Sequence, residues 1–418
     1  MVARILIGLA FLLVFFGVLE TLTFRSLSKA YGESAWWGQA KVAWWSLHVV
    51  VWAMFLAAFF MWPTWRGTHP VLLKTIMSIT FAVTLPKMFV GAIQLVDELR
   101  ALVVWISHRW QGGGQGDMDR GSFLNQLAQA VGLLSFGAMT YGIVWGKYAY
   151  RVREHRVIHP KVPKAFDGLR VVQLSDAHLG SFDGTPDPVL EALKQVQSLN
   201  PDVILFTGDL VNELADEAEA WVDAFAALSA PLGKYSVMGN HDYADYGPFD
   251  EAQRTSSIAQ LKDIQTRMGF KMLDNAHVVW SKDGESLVLL GVENWGKGFR
   301  KSGDLKKALE GSGAENHFTM LMSHDPTHFE LEVMDGLAPV ELTLSGHTHG
   351  MQMGIEIPWL NIKWSPSSMT YKRWGGLYRE GSQYLHVNRG FGVLGFPGRV
   401  GMPPEITMLT LERGTLNA

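Results

Sequence analysis

The sequence contains no cysteine. Disulfides, thiolate metal sites and cysteine nucleophiles are therefore excluded, and any metal ion must bind through nitrogen and oxygen atoms. Charge is also scarce in the first third, because residues 1–146 carry 16 of the 76 Asp, Glu, Lys and Arg but ten of the 16 Trp. No long low-complexity tract occurs, which excludes a disordered or collagen-like chain. This uneven composition predicts an apolar part followed by a charged part.

The apolar part predicts a bundle of about four transmembrane helices. Its apolar runs are residues 5–24, 42–62, 71–96 and 123–146, and Lys74, Pro86 and Lys87 interrupt the third. About twenty apolar residues are enough to cross the ~30 Å hydrocarbon core. A cleaved signal peptide is the alternative for the first run, but three more runs follow it, which favours an uncleaved helix. We expect an integral membrane protein with its transmembrane region in residues 1–146.

The basic residues give an expectation for orientation. With four spans both termini lie on one side, where nine Lys and Arg are found near the membrane, against six in the opposite loops. Six of the nine lie in residues 147–164, which we interpret as a basic juxtamembrane linker. The excess predicts that the following domain, residues 165–418, is cytoplasmic. One span more or fewer would invert this prediction.

From about residue 165, short apolar runs alternate with helical stretches, as is typical of an α/β fold. Five predicted strands end in the polar segments SDAH, TGD, GNHD, SHDP and GHTHG. Because strand carboxyl ends share one rim of such a sheet, their side chains are expected to converge. Carboxylate, imidazole and amide groups together suit Mn, Fe or Zn. The candidate residues are Asp176, His178, Asp209, Asn240, His241, Asp242, His324, His347 and His349.

The motifs SDAH, TGDLVN, GNHD, SHDP and GHTHG, spread over residues 169–350, resemble in kind and order those of the calcineurin-like metallophosphoesterases. The later segments GGLY, NRGFG and PPEITMLTL resemble the membrane-linked bacterial branch of that family and extend the likeness to residues 165–413. The resemblance implies a β-sandwich flanked by helices, hydrolase activity and a place in a bacterial inner membrane.

The resemblance also implies two divalent ions, with Mn favoured over Fe or Zn. It assigns Asp176, His178, Asp209 and His349 to the first ion, and Asp209, Asn240, His324 and His347 to the second. A hydroxide between the ions would attack phosphorus in line. His241 would stabilise the transition state or protonate the leaving oxygen, and Asp242 would orient the His241 ring.

Three further features bear on the substrate. Arg389 is a candidate phosphate contact, with a structural ion pair as the alternative. Gln352 is a candidate for the lip of the site, and Asn212 is expected to brace a loop. An apolar loop follows His349, and it is either ordinary packing or a lip that admits lipid tails. Its apolar residues are Ile355, Ile357, Trp359, Leu360, Trp364 and Met369.

Charge narrows the substrate class. Residues 147–418 have a net charge of −8 and no basic stripe, so nucleic acid is not expected as a partner. A membrane anchor favours a phosphodiester or pyrophosphate bond in a phospholipid or a nucleotide-linked acyl sugar, such as the UDP-2,3-diacylglucosamine that some related enzymes hydrolyse. A protein phosphatase, a channel with a regulatory hydrolase domain, and a non-catalytic sensor or scaffold for a phosphoryl ligand stay open as alternatives. The sequence identifies no protein partner.

Overall fold

The computed structural model describes residues 2–111, 118–182 and 186–416. The chain forms two compact units, Met1–Val144 and Trp145–Ala418. The described residues of the first unit form four helices, which are α1 (Val2–Tyr31), α2 (Trp37–Thr68), α3 (Pro70–Gln111) and α4 (Met118–Val144).

Three helical segments in the described residues are long and apolar enough to cross a membrane. They are Trp37–Trp62, Val71–Val103 and Ser122–Val144. The third predicted span, residues 71–96, includes Pro86 as expected and is longer than predicted, since the apolar segment continues to Val103. Residues 5–24, predicted as the first span, lie within α1, and the side chains of residues 2–11 fall outside the described part.

Polar side chains meet inside the helical unit. The Lys87 ammonium of α3 donates to a Glu20 carboxylate oxygen of α1 at 2.5 Å, and the His48 Nε2 atom of α2 lies 3.4 Å from the other Glu20 oxygen. Further along the bundle, Gln94 Nε2 of α3 donates to Asn125 Oδ1 of α4 at 2.9 Å. Lipid offers polar groups no partners, so such groups pair across helices and favour one arrangement of the bundle.

The second unit is built on two six-stranded sheets and a small hairpin. The first sheet has the order β1-β14-β2-β3-β4-β5, the second has β12-β13-β9-β8-β7-β6, and β10 pairs with β11. The strands are β1 (Arg151–His159), β2 (Arg170–Leu174), β3 (Val203–Phe206), β4 (Lys234–Ser236), β5 (Phe270–Met272), β6 (Ala276–Lys282), β7 (Glu285–Gly291), β8 (Phe318–Met322), β9 (Leu342–Ser345), β10 (Ile355–Ile357), β11 (Ile362–Trp364), β12 (Gly376–Glu380), β13 (Gln383–Val387) and β14 (Glu405–Arg413). The helices are α5 (Asp187–Ser198), α6 (Asp216–Glu219), α7 (Val222–Ala226), α8 (Glu251–Arg267) and α9 (Leu305–Leu309).

Alternation along the strands explains how the two sheets stack. Val171 and Val203 point into a core shared with the second sheet, whereas their neighbours Val172 and Ile204 pack towards the helices outside the first sheet. Successive strand residues face opposite sides, so strands apolar at every position must be covered on both faces. A third core lies outside the second sheet and includes Leu305 of α9. The predicted α/β sandwich flanked by helices is confirmed.

The predicted basic linker, residues 147–164, is largely folded. Nine of its residues form β1, which pairs in parallel with β14 from Arg151↔Glu405 to His159↔Arg413. Basic side chains are accommodated there because β1 is an edge strand, and Arg156, for example, pairs with Glu412 of β14.

Candidate metal centre

The predicted site residues lie at the carboxyl ends of five strands. Asp176 and His178 follow β2, Asp209 follows β3, and Asn240 follows β4. From the second sheet, His324 follows β8, while His347 and His349 follow β9. All five strands run parallel within their own sheets, β2 to β3 to β4 and β8 to β9, so the ends within each sheet share a rim.

Two groups of buried side chains result. In the first, Asp176, His178 and His349 approach closely, with 3.2 Å from His349 Nε2 to Asp176 Oδ1 and 3.0 Å between the Nε2 atoms of His178 and His349. In the second, His324 Nε2 lies 3.1 Å from Asp209 Oδ2. The same Asp209 oxygen is 3.7 Å from His178 Nε2, so this carboxylate lies between the two groups.

Asn240 and His347 complete the second group. The Oδ1 atom of Asn240 lies 2.8 Å from His347 Nδ1, while the amide nitrogen of Asn240 donates to the Tyr246 hydroxyl at 2.7 Å. The Nε2 atom of His347 contacts the Tyr371 hydroxyl at 2.8 Å and lies 3.6 Å from Asp325 Oδ2. Asn240 Oδ1 and His347 Nδ1 are therefore both turned into the second group.

Hydrogen bonds to backbone carbonyls fix the imidazole tautomers. A carbonyl can only accept, so His178 donates from Nδ1 to Val211 O at 3.1 Å, and His324 donates from Nδ1 to Thr207 O at 2.7 Å. The lone pair of a neutral ring is then on Nε2, which points into the cluster. The Nε2 atom of His324 is buried without a hydrogen-bond partner. A buried lone pair beside a carboxylate fits a bound divalent cation.

The backbone is strained where the site is formed. Five candidate residues have a positive φ, which are Asp176, His178, Asp209, His347 and His349. Such conformations cost roughly 1–3 kcal/mol each and persist at functional sites that the surrounding fold over-determines. Gly346 shows how close the packing is, because a Cβ atom there would lie 2.2 Å from Asp176 Oδ2.

Electrostatics favour ionised carboxylates in the cluster. Burial opposes ionisation of Asp209, but the imidazoles of His324 and His241 outweigh it and lower the pKa of Asp209. Burial also tends to lower the pKa of His324, yet the Asp209 carboxylate raises it to about 10. The carboxylate thus attracts a proton to the position that a divalent cation would take, and binding of a cation would release this proton.

His241 lies beside the two groups, with its ring centroid 5.0 Å from that of His178, and lines the cavity. Its Nδ1 atom donates to the Asn212 carbonyl at 2.7 Å, which leaves Nε2 as the acceptor. The ring stacks on Tyr246 with 4.4 Å between centroids. Asn212 does brace this loop, since its side chain also donates to Ser181 Oγ at 3.1 Å.

Asp242 does not orient the His241 ring, contrary to the prediction. Its carboxylate accepts backbone N–H bonds from Asp209 and Gly239 at 2.9 Å each and from Leu210 at 2.8 Å. The Asp242 side chain points into the loop that follows β3. The N–H groups of Asp209, Leu210 and Gly239 pair with no strand, so the Asp242 carboxylate is their acceptor. Asp242 therefore positions the segment that carries Asp209.

The cavity beside the two groups has a volume of about 310 Å³. None of the described residues that line it is a lysine or an arginine. Its lining residues are Asp209, Asn240, His241, Tyr246, Phe299, His347, Thr348, Met351, Ser367, Thr370, Tyr371 and Leu394. A larger cavity, about 390 Å³, between Leu214 and Gln260 includes none of the candidate site residues. The smaller cavity is therefore the one that adjoins the candidate metal centre.

Arg389 is not available as a phosphate contact. It is buried, and its guanidinium donates to Glu405 Oε2 at 2.6 Å and to Glu356 Oε1 at 2.5 Å. The prediction was wrong because both carboxylates are remote in sequence and satisfy the charge inside the fold. Arg399 is likewise buried and donates to backbone carbonyls, including Gly390 O at 3.0 Å.

Gln352 is also internal rather than at the lip. Its amide nitrogen donates to Phe396 O at 2.5 Å and Gly398 O at 2.9 Å. Two histidines outside the motifs have structural partners: His277 contacts Ala308 O at 2.9 Å, and His328 contacts Ser323 Oγ at 2.8 Å.

Sequence reasoning missed the aromatic walls of the cavity and one carboxylate. Tyr246, Phe299 and Tyr371 lie outside every motif, and only the fold brings them to His241 and His347. Asp325 directly follows the motif residue His324 in SHDP, so its position was a usable signal.

Comparisons with known proteins match both units. A family model described as the transmembrane domain of a probable calcineurin-like phosphoesterase covers residues 3–147, and a calcineurin-like phosphoesterase model covers residues 169–351. An uncharacterised metallophosphoesterase of Bacillus subtilis is 32% identical over 305 residues, which are 71% of this chain and 98% of that protein.

Two further relatives come from different organisms. A transmembrane protein with a metallophosphoesterase domain from Danio rerio is 28% identical, and the match spans 65% of this chain and 60% of that one. A UDP-2,3-diacylglucosamine pyrophosphatase of Chlamydia trachomatis is 30% identical over 59% of this chain and 86% of that one.

Proposed function

The chain belongs to the calcineurin-like metallophosphoesterase family, and we propose that it is a membrane-anchored dinuclear phosphohydrolase that acts on a phosphodiester or pyrophosphate bond in a lipid-linked molecule. The observation that carries this proposal is the convergence of Asp176, His178 and His349 with Asp209, His324 and His347 at one rim. Each group is of the mixed nitrogen and oxygen type that transition-metal ions prefer.

The residues present fit two divalent ions. We assign Asp176, His178, Asp209 and His349 to one ion, and Asp209, Asn240, His324 and His347 to the other, with Mn favoured. The orphaned His324 Nε2 atom and the placement of Asp209 between the groups support this assignment. When bound, two such ions activate water and neutralise charge on the phosphoryl oxygens.

His241 is the candidate acid of the reaction. Its Nδ1 proton is held by Asn212 O, so Nε2 can carry and deliver a second proton to the leaving oxygen in the cavity. Stacking on Tyr246 fixes the plane of the ring. Asp242 positions the Asp209 segment through its backbone hydrogen bonds and takes no part in proton transfer.

A lipid-linked substrate is supported by three observations. The described residues of the cavity wall are partly aromatic and include no lysine or arginine, so they add no cationic side chain that would select a highly charged ligand. The chain carries helices long and apolar enough to span a bilayer. A relative is a UDP-2,3-diacylglucosamine pyrophosphatase, and an analogous nucleotide-linked acyl sugar would suit this chain.

We also propose how the chain is organised in the cell. Residues 1–146 would anchor it in a bacterial inner membrane, and residues 165–418 would form the catalytic domain on the cytoplasmic side, reached through residues 147–164. The excess of Lys and Arg near the predicted side of the termini supports this orientation.

Hydrolysis of bis-p-nitrophenyl phosphate tests the proposal. Detergent-purified protein is stripped of metal and given Mn²⁺, and wild type is compared with His241→Ala and with His317→Ala, a matched control outside the site. We expect metal-dependent turnover that falls about 10²–10⁴-fold in His241→Ala and not in the control. Two bound ions without turnover on this ester or on a panel of lipid phosphodiesters would favour a non-catalytic sensor, and failure to bind metal would overturn the proposal.

A further inference from the structure

We propose that the surface formed by residues 351–369 docks on the lipid bilayer and delivers bilayer-embedded substrate to the cavity. We name it the apolar hairpin surface. Its exposed large side chains are Met351, Ile355, Trp359, Leu360, Ile362, Trp364 and Met369. The docking itself does not depend on hydrolysis, whereas the delivery of substrate rests on the proposed function.

This surface concentrates the exposed apolar residues of the second unit. It holds seven of the thirteen large apolar side chains that are exposed among the described residues from 145 onwards. Trp359 is 82% exposed and Met369 is 86% exposed. A soluble monomer seldom exposes such a cluster unless the patch binds something.

The hairpin is built as a rigid feature. β10 and β11 pair in antiparallel register, with Ile355 opposite Trp364 and Ile357 opposite Ile362. The polar residue Glu356 turns inward, where it accepts from Arg153 at 2.6 Å and from Arg389 at 2.5 Å. The buried ion pairs hold the strand, while the apolar side chains stay on the outside.

The composition of the surface matches a membrane interface. Tryptophan prefers the boundary between headgroups and acyl chains, and Trp359 and Trp364 are both exposed. Lys372, just beyond the surface, is exposed and could pair with lipid phosphate. Exposed tryptophans with a lysine at the margin are typical of segments that lie in the interface of a bilayer.

The tether to the membrane is short. Six residues, 145–150, connect the end of α4 at Val144 to the start of β1 at Arg151. At no more than about 3.5 Å per residue, they extend roughly 20 Å. Arg153, two residues further on, contacts Glu356 of the hairpin. A connection of this length is compatible with contact between the apolar hairpin surface and lipid.

The surface also continues into the cavity. Met351 lines the cavity together with Ser367 and Tyr371, and Tyr371 contacts the candidate ligand His347. An amphiphile seated on the apolar hairpin surface would thus have its polar phosphate near the candidate metal centre and its tails in the bilayer.

Site-directed spin labelling tests the docking, and the absence of native cysteine makes each label unique. Full-length Trp359→Cys, Met369→Cys and, as a control, Leu337→Cys, which is 68% exposed, are labelled in phosphatidylethanolamine and phosphatidylglycerol vesicles. We expect the first two labels to be accessible to oxygen and shielded from a water-soluble nickel reagent, and the control to show the reverse. Equal aqueous accessibility at all three sites would overturn docking, as would immobile labels shielded from both reagents, which would indicate a protein contact.

A pair of substrates tests the delivery of lipid. Bis-p-nitrophenyl phosphate in water is compared with hexadecyl p-nitrophenyl phosphate embedded in the same vesicles, for a Trp359→Ser/Met369→Ser variant and a Leu331→Ser/Leu337→Ser control. We expect the first variant to lose about tenfold or more on the embedded ester only, because two large apolar side chains no longer enter the bilayer. Equal rates on the embedded ester would overturn delivery, and a wild type inactive on both esters would instead count against the proposed function.

Discussion

Asp242→Asn tests whether this carboxylate supports the Asp209 segment or acts through His241. Three backbone N–H groups, those of Asp209, Gly239 and Leu210, donate to the Asp242 oxygens at 2.8–2.9 Å. Asparagine keeps one acceptor oxygen and turns an NH₂ group towards at least one of these donors. Hydrogen bonds to charged groups contribute roughly 1.5–3 kcal/mol each, so the variant should lose about 3 kcal/mol or more.

The expected result is a loss of both stability and metal. For a domain of this size, 3 kcal/mol corresponds to a fall in melting temperature of about 6–12 °C. The assay combines thermal melting and metal content in detergent at pH 8, because burial and then the Asp209 charge raise the pKa of Asp242 to about 7. His241→Ala is the matched comparison, and it should lose activity while keeping its metal and melting temperature. If Asp242→Asn behaves like His241→Ala in activity, metal content and melting temperature, the positioning role is refuted.

Two further predictions concern buried ionisable groups. Burial lowers the pKa of His386 to about 3, so this histidine stays neutral in the folded state. In the unfolded chain it becomes protonated below about pH 6.5. The stability that His386 contributes is therefore full above pH 6.5 and is lost as the pH falls towards 3. Melting of wild type should therefore fall more steeply between pH 6.5 and 4.5 than melting of His386→Asn, and parallel curves would contradict this. In the helical unit, Lys87→Met should destabilise the bundle by about 3–5 kcal/mol because it leaves the Glu20 charge buried without its partner. The double variant Glu20→Gln/Lys87→Met should recover much of this loss in a detergent-resistance assay. A double variant as unstable as Lys87→Met would show that the 2.5 Å ion pair is not the cause.

Sequence information was sufficient for the five strands that carry the candidate site and for the convergence of the candidate ligands. Short apolar runs such as residues 203–206 are typical of strands buried on both faces, and a polar segment follows each of them at the shared rim. Asp209 and His324 are 115 positions apart, yet their convergence follows from the ends of parallel strands. In this part of the chain, the apolar pattern of each strand and the parallel order of the strands lead to the same predicted site.

The parts that could not be predicted depend on partners remote in sequence. Arg389 looks like an anion-binding residue until Glu356 and Glu405 are placed beside it. The basic segment that contains β1 reads as a linker because its only strand partner, β14, lies about 250 positions later. The contacts of Asp242 depend on the left-handed backbone conformation of Asp209, which no residue type in the sequence predicts.

The pairing of β1 with β14 has a consequence for biosynthesis. β1 directly follows α4, so it leaves the ribosome early, while its neighbour among the described strands of the sheet, β14, lies about 250 residues later. At roughly 5–20 residues per second, β1 waits about 10–50 s for that neighbour. During this interval its edge is open, and its alternating basic residues discourage wrong pairing with other nascent chains. A chain that terminates before β14 would also leave β2 without one of its two neighbours, so both β1 and β2 would keep an open edge.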